Sequence, residues 1–122
     1  MKFPGDRKHV RRHPQSQPIR VGVADGGYVY VQDEFGTIWA LRDGPHRHPR
    51  VLGENRPAKY AGDLVIENGR IKDLTNLSGT FQFDDPDGLL AVADELEHVG
   101  FVIESGGVRF FPQDGRLPRI LR

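Results

Sequence analysis

An Asn-Gly pair stands at the centre of residues 63–74, DLVIENGRIKDL. The runs on either side of it are rich in β-branched and apolar residues. Asn-Gly is the dipeptide that a two-residue hairpin turn prefers, because both of its residues tolerate positive φ. This is the strongest hairpin signal in the chain, and it predicts two adjacent antiparallel strands joined at Asn68-Gly69.

The neighbouring segments contain further strand-like runs. The stretch YVYVQDEFGTIWAL, residues 28–41, has two of them separated by a glycine-containing turn. Residues 19–23 are predicted to form a hairpin with the first of these runs, whereas residues 43–59, which contain three prolines, are predicted to be a loop. Near the other end of the chain, residues 101–104 and 108–111 are predicted to form a third hairpin.

One segment has the periodicity of an amphipathic helix. Over residues 86–99 the apolar residues recur at spacings of three and four, and Asp84 or Asp85 precedes them as an N-cap. The sequence therefore predicts an α+β fold, in which an antiparallel sheet of six or seven strands, built from hairpins, is packed by one helix at about 86–99. The apolar stripe of that helix consists of Leu89, Leu90, Val92, Ala93, Leu96 and Val99.

Charge is balanced over the 122 residues, with 17 Lys or Arg and 17 Asp or Glu, but it is segregated along the chain. Residues 1–20 have a net charge of +5, residues 81–104 hold seven acids and no Lys or Arg, and residues 105–122 have a net charge of +3. This pattern predicts a globular domain with a basic segment at each end. The predicted divisions are a flexible basic arm at 1–18, a globular domain at 19–112 and a basic tail at 113–122.

Segregated charge favours electrostatic docking, either of the two ends on the acidic segment of the same chain or of each end on a partner. The preferred partner is another protein with an acidic surface. Nucleic acid ranks lower, because no aromatic residues for base stacking are interleaved among the arginines of the arm. The cations assigned to partner binding are Arg7, Lys8, Arg11, Arg12, Arg116 and Arg119.

Composition excludes several classes of protein. The chain has no Cys, so disulfides, thiolate zinc sites and Cys nucleophiles are excluded. No apolar run approaches the roughly 18 residues of a membrane span, and the start of the chain lacks a signal-peptide segment. We therefore expect a cytoplasmic protein with no membrane partner, and no cofactor is predicted.

Three residues are weak candidates for catalysis. His46 and His48 lie two positions apart and, with Asp43, have the composition of a two-His-one-carboxylate metal site, but two neighbouring arginines repel a cation, so no metal is predicted. Ser78 lacks the flanking glycines of a nucleophile elbow. Catalysis is therefore the less favoured interpretation.

From Tyr28 onward, the order of features resembles a domain found at the C-terminal ends of bacterial polymorphic toxins and effectors and in plant IQ-motif calmodulin-binding proteins. The family pattern reads His-Ser-Ser-Phe, Ala-Gly-Glu, Asn/Asp-Gly and Ser-Gly-His-Tyr, followed by a helix. In this chain Ala61-Gly62-Asp63 matches the second element, Asn68-Gly69 matches the turn, and Ser78-Gly79 matches the start of the last element.

Two departures affect what the resemblance implies. His46-Arg47-His48 stands where the family has His-Ser-Ser, and Thr80-Phe81 stands where it has His-Tyr. Since an imidazole and a phenol are missing, the resemblance implies an altered or inactive member. We expect a non-catalytic interaction or accessory module of a toxin, effector or related multi-protein system, docking through charged termini. The alternatives are a small toxin-type enzyme that uses the 43–50 loop and a nucleic-acid-binding accessory protein.

The positions of five residues distinguish an enzyme from a binding module. Convergence in one pocket favours an enzyme, and dispersion favours a binding module. The five are His46, His48, Asp63, Ser78 and Thr80.

Overall fold

A computed structural model describes residues 1–3, 11–44, 48–54, 56–78 and 81–122. These residues form two helices and one seven-stranded sheet with the strand order β1-β3-β2-β4-β5-β6-β7. All neighbouring strands are antiparallel except β5 and β6, so the predicted α+β class is confirmed. In chain order the elements are β1 (Gln17–Pro18), β2 (Gly26–Gln32), β3 (Ile38–Arg42), α1 (His48–Leu52), β4 (Tyr60–Glu67), β5 (Arg70–Thr75), α2 (Pro86–His98), β6 (Val108–Phe110) and β7 (Arg119–Ile120).

The two central hairpins, β2–β3 and β4–β5, agree with the sequence prediction. In the β4–β5 turn Asn68 has φ 54° and Gly69 has φ 75°, which is the pair of positive angles that a type I′ turn needs. Asp25 holds this turn from outside, because its carboxylate accepts hydrogen bonds from the backbone N–H groups of Asn68 and Gly69 at 2.8 and 3.1 Å. The hairpin is thus fixed by both local and non-local contacts.

Helix α2 is capped by Asp85, whose side chain accepts a hydrogen bond from the Gly88 N–H at 3.1 Å. Two residues of the predicted apolar stripe are not buried, and the first of them, Leu90, is half-buried. Val99 is the C-cap and is 40% exposed, because the helix ends at His98 and the chain turns away at Gly100. The stripe residues that are buried against the sheet are Leu89, Val92, Ala93 and Leu96.

The predicted hairpin between residues 19–23 and β2 is wrong. Both edges of β2 are already occupied, one by β3 and the other by β4. The upstream strand, β1, is only two residues long and pairs with β3 instead, so that it lies at the edge of the sheet.

The predicted hairpin between residues 101–104 and 108–111 is also wrong. Ile103 forms a parallel bridge with Ile71, and β6 runs parallel to β5, so this part of the chain follows β5 in one direction without reversing. The reason is that α2 carries the chain back to the start of β5, and a strand that returns by such a crossover runs parallel to its neighbour. The outer partner of β6 is β7.

The predicted 43–59 loop contains the short helix α1, which sequence reasoning missed. Pro49, the second helical residue, suits the first turn of a helix because its missing N–H has no intrahelical partner there. Val51 and Leu52 are buried, and α1 contacts β2 and β3. His48 of α1 contacts Asp63 of β4, and Gly88 of α2 lies beside Tyr60 of the same strand. Asp63 and Tyr60 are three residues apart, so their side chains point to opposite faces of the sheet. The two helices therefore cover opposite faces of the sheet.

The sheet extends beyond the predicted 19–112 domain at both ends, since β1 belongs to the arm and β7 to the tail. In the arm, Lys2 forms an antiparallel bridge with Ala58, and the buried Ser16 hydroxyl donates a hydrogen bond to the Val51 carbonyl at 2.5 Å. Arg7 and Lys8 lie outside the described residues. Within the described ranges, no helix has the length and apolar character to cross a membrane.

Candidate functional site

His48, at the start of α1, and Asp63, in β4, meet on one face of the sheet. Nε2 of His48 lies 2.8 Å from the carbonyl oxygen of Gly62 and 3.6 Å from Oδ1 of Asp63. Because a carbonyl only accepts hydrogen bonds, Nε2 carries the proton, and Nδ1 is the acceptor in the neutral ring. The His48 side chain is 11% exposed and that of Asp63 is 37% exposed, so the carboxyl is the member of the pair that solvent reaches.

The surroundings favour the neutral form of both groups. Burial, aided by the nearby carboxylates of Asp43 and Asp73, raises the pKa of Asp63 to about 6. Burial also lowers the pKa of His48, against the opposing effect of its hydrogen bond to Gly62. At neutral pH the imidazole is therefore uncharged while the carboxyl titrates close by, which is a condition that favours general acid–base chemistry.

The backbone beneath this pair is fixed by Thr75 at the end of β5. The Thr75 hydroxyl accepts hydrogen bonds from the backbone N–H groups of Asp63 at 3.4 Å and Leu77 at 3.1 Å. The phenol of Tyr30 donates to the Thr75 carbonyl at 2.7 Å. Burial raises the pKa of Tyr30, so this phenol stays protonated and acts as a structural donor.

The remaining catalytic candidates do not join the pair in the described part of the chain. The Ser78 hydroxyl accepts a hydrogen bond from the Phe81 N–H at 3.1 Å, which is the role of a turn residue. His46 and Thr80 lie outside the described residues. Among the described residues, no group of three His, Asp or Glu side chains is placed to hold a metal ion.

The cations of the tail are held within the chain. Arg122 forms ion pairs with Asp94, at 2.9 Å, and with Glu97, both on α2. Arg116 pairs with Asp114 in the same turn at 2.8 Å. Of the two docking modes that the charge pattern predicts, the tail thus adopts the intramolecular one.

Two of the predicted partner-binding arginines stack on aromatic rings. The guanidinium carbon of Arg12 lies 5.1 Å from the Trp39 ring centroid, and that of Arg119 lies 5.9 Å from the Phe110 centroid. Such cation–π contacts fix the guanidinium groups on the sheet. They attach β3 to the arm and β6 to the tail.

The N-terminal edge is the surface formed by residues 11–20 together with Arg42 at the end of β3. Its cations differ from those of the tail in their ion pairs. Arg11, Arg20 and Arg42 are exposed, and none of them forms an ion pair with another described residue. Arg42 was missed by sequence reasoning. The signal that would have found it is its position as the last residue of a strand whose other residues are apolar.

Comparison of this chain with family models, with curated proteins and with solved structures gives no match. The resemblance to the toxin and effector domain therefore stays a prediction.

Proposed function

We propose that this chain is a non-catalytic interaction or accessory module, of a toxin, effector or related multi-protein system, which binds an acidic surface of a partner protein through its N-terminal edge. The observation that carries the proposal is the set of exposed arginines, Arg11, Arg20 and Arg42, that have no carboxylate partner in the described part of the chain. The missing His-Tyr element also supports a binding role over a catalytic one.

The physical basis is electrostatic complementarity. Exposed charges at the rim of an interface mainly raise the association rate and make it sensitive to salt. The tail contributes less, because its Arg122 is already neutralised by acids of α2. In the tail, Arg119 is exposed and also lacks a carboxylate partner among the described residues, but the N-terminal edge has three such arginines and is therefore the end with more charge available to an outside partner.

The test compares two variants with the same loss of charge. Arg11→Gln with Arg20→Gln removes two cations of the N-terminal edge, and Lys59→Gln with Arg70→Gln removes two exposed cations elsewhere. Partners are captured on the wild-type chain and identified, and their association rates are then measured at several salt concentrations. We expect the first variant to associate several-fold more slowly and with a weaker salt dependence, and the control to match the wild type.

Two outcomes would contradict the proposal. Equal association rates for the two variants would show that the N-terminal edge is not the docking surface. Capture that nuclease treatment abolishes would favour the nucleic-acid-binding accessory protein instead.

A second function, a small toxin-type enzyme, is favoured by one observation, the contact between His48 and the partly exposed Asp63. In that case Asp63 is the general acid or base, and His48 positions it. The test is induced expression in a bacterial host. Growth arrest that Asp63→Asn relieves and Glu34→Gln retains would support catalysis, and unimpaired growth with the wild-type chain would remove this candidate.

A further inference from the structure

A groove of about 450 Å³ runs beside β1 at the N-terminal edge. Its floor is apolar and includes Ile19, Tyr28 and Leu41, while the amide of Gln17 and the guanidinium of Arg42 provide polar groups. The volume lies within the range of about 300–1,000 Å³ that is usual for binding sites, and an apolar floor with few polar groups is their usual composition. The groove is continuous with the surface proposed above for partner docking.

The position of Arg42 in this groove is fixed by its neighbours. Its guanidinium carbon lies 4.9 Å from the centroid of the Tyr28 ring. The guanidinium also lies against Gly26, where any Cβ would collide with Nη1 of Arg42. Asp43, the next residue along the chain, turns its carboxylate to the backbone N–H of Gly44 at 2.8 Å. The guanidinium is thus held in place while its donors remain available for a carboxylate, which it can bind through two parallel hydrogen bonds.

The edge strand limits how a partner is recognised. Pro18 forms half of β1 and has no backbone N–H, so that the addition of a further strand to β1 is disfavoured. Recognition in the groove therefore depends on side chains. An apolar side chain fits the floor, and an acidic side chain beside it meets Arg42.

We infer that the groove beside β1 receives an acidic segment of the partner protein, with an apolar side chain on the floor of the groove and a neighbouring carboxylate on Arg42. The inference rests on the proposed function, since the same partner is assumed. Charge complementarity supports an acidic occupant, because Arg42 is the one charged side chain among the described residues that line the groove.

The experiment measures peptide binding to the purified chain by NMR, with the methyl groups of Ile19 and Leu41 as reporters. The probes are blocked pentapeptides of alternating leucine and glutamate, of leucine and glutamine, and of leucine and lysine, together with octanoate as a small amphipathic acid. We expect the glutamate peptide to shift these methyls and to bind at least about fivefold more tightly than the glutamine peptide. Arg42→Gln should abolish that preference, and the matched control Arg70→Gln should retain it.

Each other outcome overturns a stated part of the inference. Equal affinity for the glutamate and glutamine peptides would overturn the role of Arg42, and binding of octanoate but of no peptide would replace the protein segment by a small acid. If Arg42→Gln leaves capture of the partner intact while Arg11→Gln with Arg20→Gln abolishes it, this inference fails and the proposed function stands. If neither variant changes the capture, the proposed function fails, and peptide binding is a separate property of the groove.

Discussion

The two ends of the chain are both basic and both supply an edge strand, yet they use their charge differently. At the tail, Arg122 meets two acids of α2. At the N-terminal edge, the chain is held by neutral and aromatic contacts, such as the Ser16 hydroxyl on Val51, and several arginines have no acid opposite them in the described residues. Net charge therefore does not tell whether a basic segment serves the fold or a partner, because that depends on where the acids of the same chain lie.

The largest effect on the free energy of unfolding should come from weakening helix α2, to which the tail is attached through Arg122. Leu96→Ala deletes a fully buried side chain between α2 and the sheet, and we expect a loss of about 2–5 kcal/mol in the free energy of unfolding. Val99→Ala, at the exposed C-cap, should cost less than about 0.5 kcal/mol. Denaturant unfolding measures both. Equal losses would show that the Leu96 side of α2 is not core.

The next effect concerns the attachment of the N-terminal edge. Ser16→Ala leaves the Val51 carbonyl without its buried donor, and we expect a loss of about 1–2 kcal/mol and faster amide exchange in β1. Ser105→Ala, at an exposed position, is the control. If Ser16→Ala behaves like that control, the edge is held by other contacts, and the comparison between the two ends needs a different basis.

The pH dependence of stability tests the acid–base pair, which belongs to neither end. The pKa of Asp63 is about 6 in the folded chain against an ordinary value of 3.8, so the folded state binds the proton more tightly, and this group lowers stability as pH rises from about 4 to 6. His48 acts in the opposite sense, because its lowered pKa makes stability fall as pH drops below 6.5.

Asp63→Asn should therefore remove the first of these two effects. Since the carboxyl is 37% exposed and solvent screens it, we expect a gain of only about 1 kcal/mol over the wild type at pH 8, with little difference at pH 4. Urea unfolding at several pH values measures it, and Glu34→Gln should follow the wild-type curve. Parallel curves for Asp63→Asn and the wild type would mean that Asp63 titrates normally.

The smallest expected effect is on the salt dependence of stability, which we compare between a cation of the tail and a cation of the N-terminal edge. Arg122→Gln removes exposed ion pairs with α2, and we expect a loss of about 0.5 kcal/mol at low salt that shrinks at high salt. Arg42→Gln should show no salt-dependent change in stability, because it has no ion pair within the described chain to lose. Salt-dependent losses of the same size in both variants would abolish the distinction between the ends.

Sequence reasoning succeeded where the signal is local and failed where it depends on distant neighbours. The Asn68-Gly69 turn and the Asp85 cap are encoded in a few consecutive residues. The pairing of β1 was not predictable in this way, because it follows from β3 and β4 having already occupied both edges of β2. Helix α1 is too short for its periodicity to emerge from a proline-rich segment.

The candidate site shows the same division. His48 was selected for its chemistry, and Asp63 for its place in a motif, but their contact depends on how α1 lies across β4. The place of Arg42 at the end of an apolar strand marks it in the sequence, but its contacts with Tyr28 and Gly26 depend on how β2 pairs with β3.

The parallel pairing of β5 with β6 has a consequence for the order of folding. Leu74 meets Val108 only after the intervening chain, α2 included, has closed a long loop, whereas the β4–β5 hairpin closes locally. The hairpin should therefore form first, and β7, which has β6 as its one partner strand among the described residues, should join last. A chain that ends after α2 leaves one edge of β5 without its strand, and such an open edge invites pairing with other molecules. Residues 108–122, which contain β6 and β7, thus protect the sheet from aggregation as well as completing it.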